Sequence, residues 1–572
     1  MKYQVQIKRL FFLFLAALSA TALRAQVTVA NDSTSKKLEI LKANRYTFQK
    51  LDSVGNFVSV AGNVELRQDK TLFYCDSAVL DQVNNVFEAF GNIHINDADS
   101  IHTYSQYLKY YGKDKKAILR RKVKLTDGKG VLTTDELDYN TLTKIGTYVK
   151  GGKVVNGKTV LTSQEGYYYG DTRDVIFKKK VVLIDPEYRV VTDTLLYNTY
   201  TEISRFVVPT KITSGQRTVT TSEGYYDLKN KKAVFGKRPK IEDKDYTLIA
   251  NDIAFDEASG YGEAQGNAVY NSKDTAGAYT IIANNMKSNN RTGAILATQK
   301  PLMIIKQGTD SIYVSADTLY SGKLTELQKT RQVPNIFVDT ATVSDSSPAP
   351  DTTQEIGLVK RANNIKKADS TVAPKPARAK GDSSGNRFFE AYFNVKIFSD
   401  SMQAIGDSMF YSFQDSAFRL FKNPVVWAQG NQVTGDTIYL FTRNRKPDHF
   451  RVYENGLAVS KIDQQFYNQV KGNFINGYFN QGNINFMKAK GSAENIYYGV
   501  DDQGAFFGVN RSTSDVINIY FADRKPSRVV FINNLQGTVT PIKQSNPEEM
   551  KLRGFKWLED RRPKSRSDLF GS

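Results

Sequence analysis

The residues able to do chemistry are few. His94, His102 and His449 are the three histidines, and Asp97 and Asp99 lie between the first two. Imidazole and carboxylate together can hold a metal ion, but a third spaced ligand is absent from this stretch, and histidines commonly pack or face solvent. Cys75 is the single cysteine. It sits where other copies of the repeat described below carry Thr, Ala or Ser, which reads as a small buried side chain and not as a reactive thiol. No Ser-His-Asp or Cys-His arrangement can be assigned, and no phosphate-cradling or dinucleotide glycine loop occurs. Acidic residues do recur in register along the chain. A catalytic carboxylate has no reason to appear in every repeat, whereas a short polar side chain at a fixed corner, bonded to nearby backbone, does. The expectation is a protein with no catalytic residues, no cofactor and no resident metal.

The elements that carry this column form a repeat. A small residue precedes Asp, Glu, Asn or Gln, followed by any residue and an apolar one. The copies include Asp76-Ser77-Ala78, Gln106-Tyr107-Leu108, Asp135-Glu136-Leu137, Glu165-Gly166-Tyr167, Asp193-Thr194-Leu195, Glu223-Gly224-Tyr225, Asn251-Asp252-Ile253 and Asp317-Thr318-Leu319. They return about every 30 residues. Alternation over Val131–Tyr139 has period two, the mark of a strand. Clusters such as Lys113-Asp114-Lys115-Lys116 and Asn140-Thr141-Leu142-Thr143 have turn composition. Breaks follow at Gly62-Asn63-Val64, Gly91-Asn92-Ile93, Pro239-Lys240-Ile241 and Gly266-Asn267-Ala268. Each unit is therefore strand, turn, strand, kink, strand, and stacked units share one interior. One apolar residue per unit is expected to face it: Leu137, Tyr167, Leu195, Tyr225, Ile253 and Leu319. Whether that interior is an open trough or a filled core has no signature in the periodicity.

The chain is 572 residues long, with 40% hydrophobic and 12% aromatic residues, the aromatics being mostly Tyr (32) and Phe (33). That supports a large strand-rich fold and excludes general disorder. Residues 1–25 read as a cleaved signal peptide: Lys2, Lys8 and Arg9, then an apolar run too short to span a bilayer, then small residues at Ala20, Ala22 and Ala25. The formal charge of +19 asks for an anionic partner. Export makes nucleic acid a poor choice and a phosphorylated glycolipid or anionic surface a good one. Between Val338 and Arg387 aromatic residues are missing and Pro, Ser, Thr, Ala and Lys dominate. This places a disordered linker at 331–387. It parts a first repeat region, 40–330, from a second β region, 388–540. The basic tail, 541–572, with Phe555, Trp557 and Leu558, is either a docking peptide or a segment folding back on the last strands.

The Gly62-Asn63-Val64, Gly91-Asn92-Ile93 and Gly266-Asn267-Ala268 elements resemble the G-N-V element of the OstA/LptA-type family. Leu248-Ile249-Ala250-Asn251, Ile281-Ile282-Ala283-Asn284 and Val314-Ser315-Ala316-Asp317 resemble its apolar-x-A-D element. The series covers about 40–330 well and the second region loosely. The family includes the periplasmic bridge of lipopolysaccharide transport and the N-terminal region of its outer-membrane partner LptD. The resemblance implies an elongated, open β-jellyroll or β-taco whose interior holds lipid A acyl chains, located in the periplasm and contributing to outer-membrane assembly. Implied partners are lipopolysaccharide, LptD-like outer-membrane and inner-membrane transport components, and further copies stacked head to tail through edge strands. The chain departs from the family in its length, its linker and its second region, and too few strands remain after residue 388 for a transmembrane barrel. If each unit added a single strand layer, ten units would reach only about 50 Å. The rival reading is a structural or adhesive β-solenoid without lipid cargo. A carbohydrate-acting β-helix enzyme would need a carboxylate cluster outside the column, and none is visible.

Overall fold

The computed structural model describes residues 38–51, 55–274, 277–307, 310–336, 386–443, 446–501 and 503–570. The expected signal peptide and nearly all of the expected linker lie outside them. The chain folds into two compact units. One runs to Asn156 and includes Tyr167–Asp171; the other comprises Gly157–Gly166 and Thr172 onward. Both are built of antiparallel strands, and among the described residues the fold is all-β with a single α-helix, Leu324–Thr330. Among the described residues no helix is long and apolar enough to cross a membrane.

One local device generates the architecture. Strands such as Val86–Asp97 and Ile101–Tyr111 pair along both their halves, but the register slips in the middle, between Phe90 and Ile93. There two successive residues adopt positive φ: Gly91-Asn92 at 72° and 38°, and likewise Gly62-Asn63, Arg121-Lys122, Lys179-Lys180, Lys237-Arg238 and Gly266-Asn267. A two-residue bulge bends the strand and leaves its own inward phase unchanged. Burial shows this: Ala117 and Leu119 point inward before the bulge and Val123 and Leu125 after it, whereas on the facing strand the phase slips by one residue, from Thr134 to Leu137. Each strand thus contributes half its length to each of two facing half-sheets, joined at a corner. This is the expected jellyroll of about 30-residue units. Each unit, however, adds two strands, about 10 Å of stack and not one layer's worth.

The polar column lies on the strand facing each bulge. Its backbone N–H donates to the bulge carbonyl, as in Asn251 to Gly266 (2.8 Å) and Asp436 to Glu454 (3.0 Å). The carboxylates accept from a bulge asparagine side chain: Asp76 from Asn92 (3.0 Å), Asp317 from Asn394 (2.9 Å), Asp436 from Asn455 (2.9 Å). The corner role expected of the column holds, with a side-chain amide as partner where backbone was expected.

Composition separates two β regions at the linker, yet the strand Arg387–Phe398 pairs directly with Thr318–Lys323 and Asp310–Ser315. The residues between 336 and 386 are therefore inserted between neighbouring strands of one stack. The helix Leu324–Thr330 and Val333 and Ile336 cover Phe388 and Phe410 on an outer face. Arg419, fully buried there, pairs with Asp415, donates to the Asn335 carbonyl and lies over the Phe410 and Tyr439 rings.

The tail folds back. As it runs from Met550 to Leu569, its partners step across successive strands from Gln469 to Gln432, Gln403, Lys396 and Ser315. Leu552 enters a cluster with Leu457, Val459, Ile496, Tyr498 and Val509, flanked by Phe555 and Trp557.

Candidate functional site

Four of the six expected interior residues face inward: Leu137 (1% exposed), Leu195 (0%), Ile253 (1%) and Leu319 (1%). Tyr167 and Tyr225 do not. Tyr225 is 40% exposed, and in the first case the buried ring is Tyr168, at 7%. The reason is register. Inward-facing Thr134 and Thr192 stand three residues before Leu137 and Leu195; their equivalents are Ser163 and Thr221, which place Gly166 and Gly224 at the leucine position. Glu165 and Glu223 therefore stand one residue past the column. The doubled tyrosines Tyr167-Tyr168 and Tyr225-Tyr226 carried the correct phase, on their second member. Tyr226 is half-buried and donates to Glu257.

In the N-terminal unit the interior is filled. Val58, Leu66, Phe73, Phe87, Leu108 and Leu119 are each 0–1% exposed. Phe73 of one half-sheet meets Phe87 and Tyr110 of the other at ring-centroid distances of 5.2 and 4.9 Å. Cys75, on this inner surface, is 6% exposed, and burial pushes its thiol up to about 12. His94 and His102 approach to 3.1 Å between ring nitrogens, and the His94 ring stacks on Tyr74 and Tyr104. Burial and the neighbouring His102 lower the pKa of His94. Among the described residues no group of three metal-ligating side chains occurs.

Two cavities lie in the second unit. A cavity of about 130 Å³ lies among Val190, Phe206, Ile212, Val219, Phe235 and Phe255. A larger one, about 390 Å³, lies between the half-sheets built from Met402 to Val529. Its walls are mostly apolar, among them Met402, Val426, Val433, Ile438, Leu440, Phe450, Ala458, Val470, Ile484 and Met487. That is the size and lining of a small-molecule site. The wall strands alternate, so that Val433 and Val470 face the cavity while Gln432 and Gln469 face the tail on the outer surface. His449 lines the cavity, its ring stacked on Phe441 at 4.2 Å and its Nδ1 2.6 Å from Asp448.

At the side away from the corner, the turn at Gln429-Gly430 meets the turn at Gln481-Gly482. The Gln429 amide donates to the Gly482 carbonyl and, at 3.1 Å, to Asn483 Oδ1. Arg524 Nε donates to the same Asn483 oxygen at 3.1 Å, and Arg524 and Lys525 both line the cavity. An apolar chamber thus has two cationic side chains in its wall beside this latch. Nothing in the sequence marks these residues, because they lie on turns, outside the repeated column.

Stacked bent strands enclosing an apolar interior define an all-β jellyroll fold. Residues 35–193 and 189–251 match the family described as OstA-like protein. No curated protein matches the chain. Among solved structures it is similar to LptH, the LptA-homologous periplasmic component of the lipopolysaccharide transport device of Pseudomonas aeruginosa. That likeness has 17% identity and a TM-score of 0.18, over 19% of this chain and 83% of that one, too slight to bear any argument.

Proposed function

We propose that the protein is a periplasmic carrier of lipopolysaccharide, sheltering acyl chains inside its jellyroll during passage toward the outer membrane. The observation that carries this reading is the apolar cavity of about 390 Å³ with Arg524 and Lys525 in its wall. Each methylene moved from water into such a space gains about 0.8 kcal/mol, and cations beside it suit a phosphorylated head group. The match of residues 35–251 to the OstA-like family points the same way. On this reading the basic charge of +19 serves an anionic cargo, the protein is no enzyme, and transport components at the two membranes are its partners. Exposed apolar side chains on terminal strands, Tyr46 (58%) and Phe48 (50%) on Arg45–Leu51 and Val539 (65%) on Gln536–Pro541, suit strand-to-strand addition by such partners or by further copies.

The filled interior of the N-terminal unit favours a second reading, a structural β-scaffold without cargo. A photo-crosslinking amino acid at Phe450, which lines the cavity, separates the two. With lipopolysaccharide added, an adduct forms at Phe450 and none at Phe393, which is 57% exposed. A folded protein giving no adduct at Phe450 would leave the scaffold reading standing.

A further inference from the structure

In the N-terminal unit the corner between half-sheets is continuous chain, braced by backbone pairing. On the opposite side the half-sheets meet through side chains. Tyr110 donates to Gln68 at 2.7 Å, Tyr139 to Asp97 at 2.9 Å and Tyr168 to Asp127 at 3.5 Å. The offsets are 42, 42 and 41 residues, so each tyrosine reaches across the interior to the same place in the facing half-sheet. Each is the last residue but one of its strand on one side, and each partner lies at or beside a strand end on the other. The participants are nearly all buried: Tyr110 and Tyr139 at 1%, Gln68 at 2%, Asp97 at 6%, Tyr168 at 7%. At the outer rim Lys115 bonds Asp69 at 2.6 Å.

The choice of side chains is informative. A row of leucines would seal this side for good, since separating it would expose apolar surface with no compensation. Hydroxyl-to-acid bonds can be exchanged for bonds to water, so polar groups in a buried seam allow it to part and re-form. We propose that the row Tyr110–Gln68, Tyr139–Asp97 and Tyr168–Asp127 is a lateral gate. It is the line along which this unit parts so that an apolar chain slips sideways into its interior, rung by rung. This deepens the lipid-carrier reading and rests on it: the filled interior seen here is the shut state, and the tyrosines are positioning residues for passage.

The chain supplies its own reporter. Cys75, the single cysteine, faces the interior that the gate closes and is 6% exposed. Its maleimide labelling, without lipid, reads opening of the unit. Tyr139→Phe and Tyr110→Phe should each speed labelling about ten-fold, the effect of losing one hydrogen bond to a buried partner. Tyr107→Phe is the control: Tyr107 bonds Glu88 at 3.0 Å, also a tyrosine–acid bond, but between neighbouring strands of a single half-sheet. It should change the rate by less than about two-fold. Gate opening is local, so the accelerated rate should rise only weakly with dilute urea. Unchanged labelling in both gate variants, equal acceleration by Tyr107→Phe, or a urea slope equal to that of global unfolding would each overturn the proposal. The readout needs no lipid, so failure of the gate and failure of the Phe450 crosslink are separate results.

Discussion

The tail is held by a device whose strength can be worked out. Gln432 is fully buried. Its Nε2 donates to the Lys556 carbonyl and its Oε1 accepts from the Leu558 N–H, both at 2.7 Å. Gln469 repeats the arrangement at 2.9 Å on the Met550 carbonyl and the Leu552 N–H. Each glutamine thus satisfies a donor and an acceptor of a segment that joins no strand. Replacing Gln432 by Ala removes two neutral hydrogen bonds, each with a net value of about 1 kcal/mol. The local attachment should weaken by about 2 kcal/mol, roughly a thirty-fold rise in the open population. Trypsin reads this directly, because Lys556 sits at the clamp and its scissile bond must leave the surface to be cut. Under native conditions, where closing outpaces cleavage, the rate follows that population. Gln432→Ala should therefore raise cleavage after Lys556 about thirty-fold. Gln464→Ala, in an exposed turn, should not. A Gln432→Ala rate within about two-fold of the parent would refute the clamp and mean that the tail's other contacts, such as those of Leu552, Trp557 and Gln469, hold it.

Two further outcomes follow from the same geometry. Gly224 has a φ of 149°, and a Cβ there would meet the Val234 carbonyl oxygen at 2.3 Å. Because the obstacle is backbone, Gly224→Ala should cost about 2–4 kcal/mol of stability by urea denaturation, whereas the same change at open Gly215 should cost about 1–2. Burial pushes the Tyr110 hydroxyl up to about 12 from 10.0. The folded state holds this proton more tightly than the unfolded chain, so the stabilisation is complete below pH 10 and drains away as pH rises toward 12. Thermal melts across that window should lose part of their slope in Tyr110→Phe; an unaltered slope would mean Tyr110 is not the titrating group.

What the sequence made legible was whatever is local and repeated. Asp135-Glu136-Leu137 and Asp193-Thr194-Leu195 announce a strand with one inward leucine, and that is where Leu137 and Leu195 sit. The Gly-Asn pairs announce the kink because glycine and asparagine tolerate positive φ. Arg121-Lys122 and Lys179-Lys180 make the same bend and were silent, since lysine has no such preference. Period-two reasoning fails on the strand facing a bulge, where the inward phase moves by one residue, as from Thr134 to Leu137. Tyr225 fell on that step, one place from Tyr226.

The parts that stayed hidden are those made by residues distant along the chain. Tyr139 and Asp97 each look ordinary in sequence; their meeting depends on the corner folding one half-sheet over the other and on a stagger between facing strands. The same holds for Gln429, 53 residues from Gly482, and for Gln432, 124 residues from Lys556. In a stack of repeats, local spacing sets which way a side chain points, and the bend decides what it points at. The consequence for function is specific. The column of acids, the most visible pattern in the chain, is spent on holding the corner, while closure of the interior falls to tyrosines and glutamines at strand ends and turns. Substitutions in the column should therefore act on folding, and substitutions along the opposite side on access to the interior.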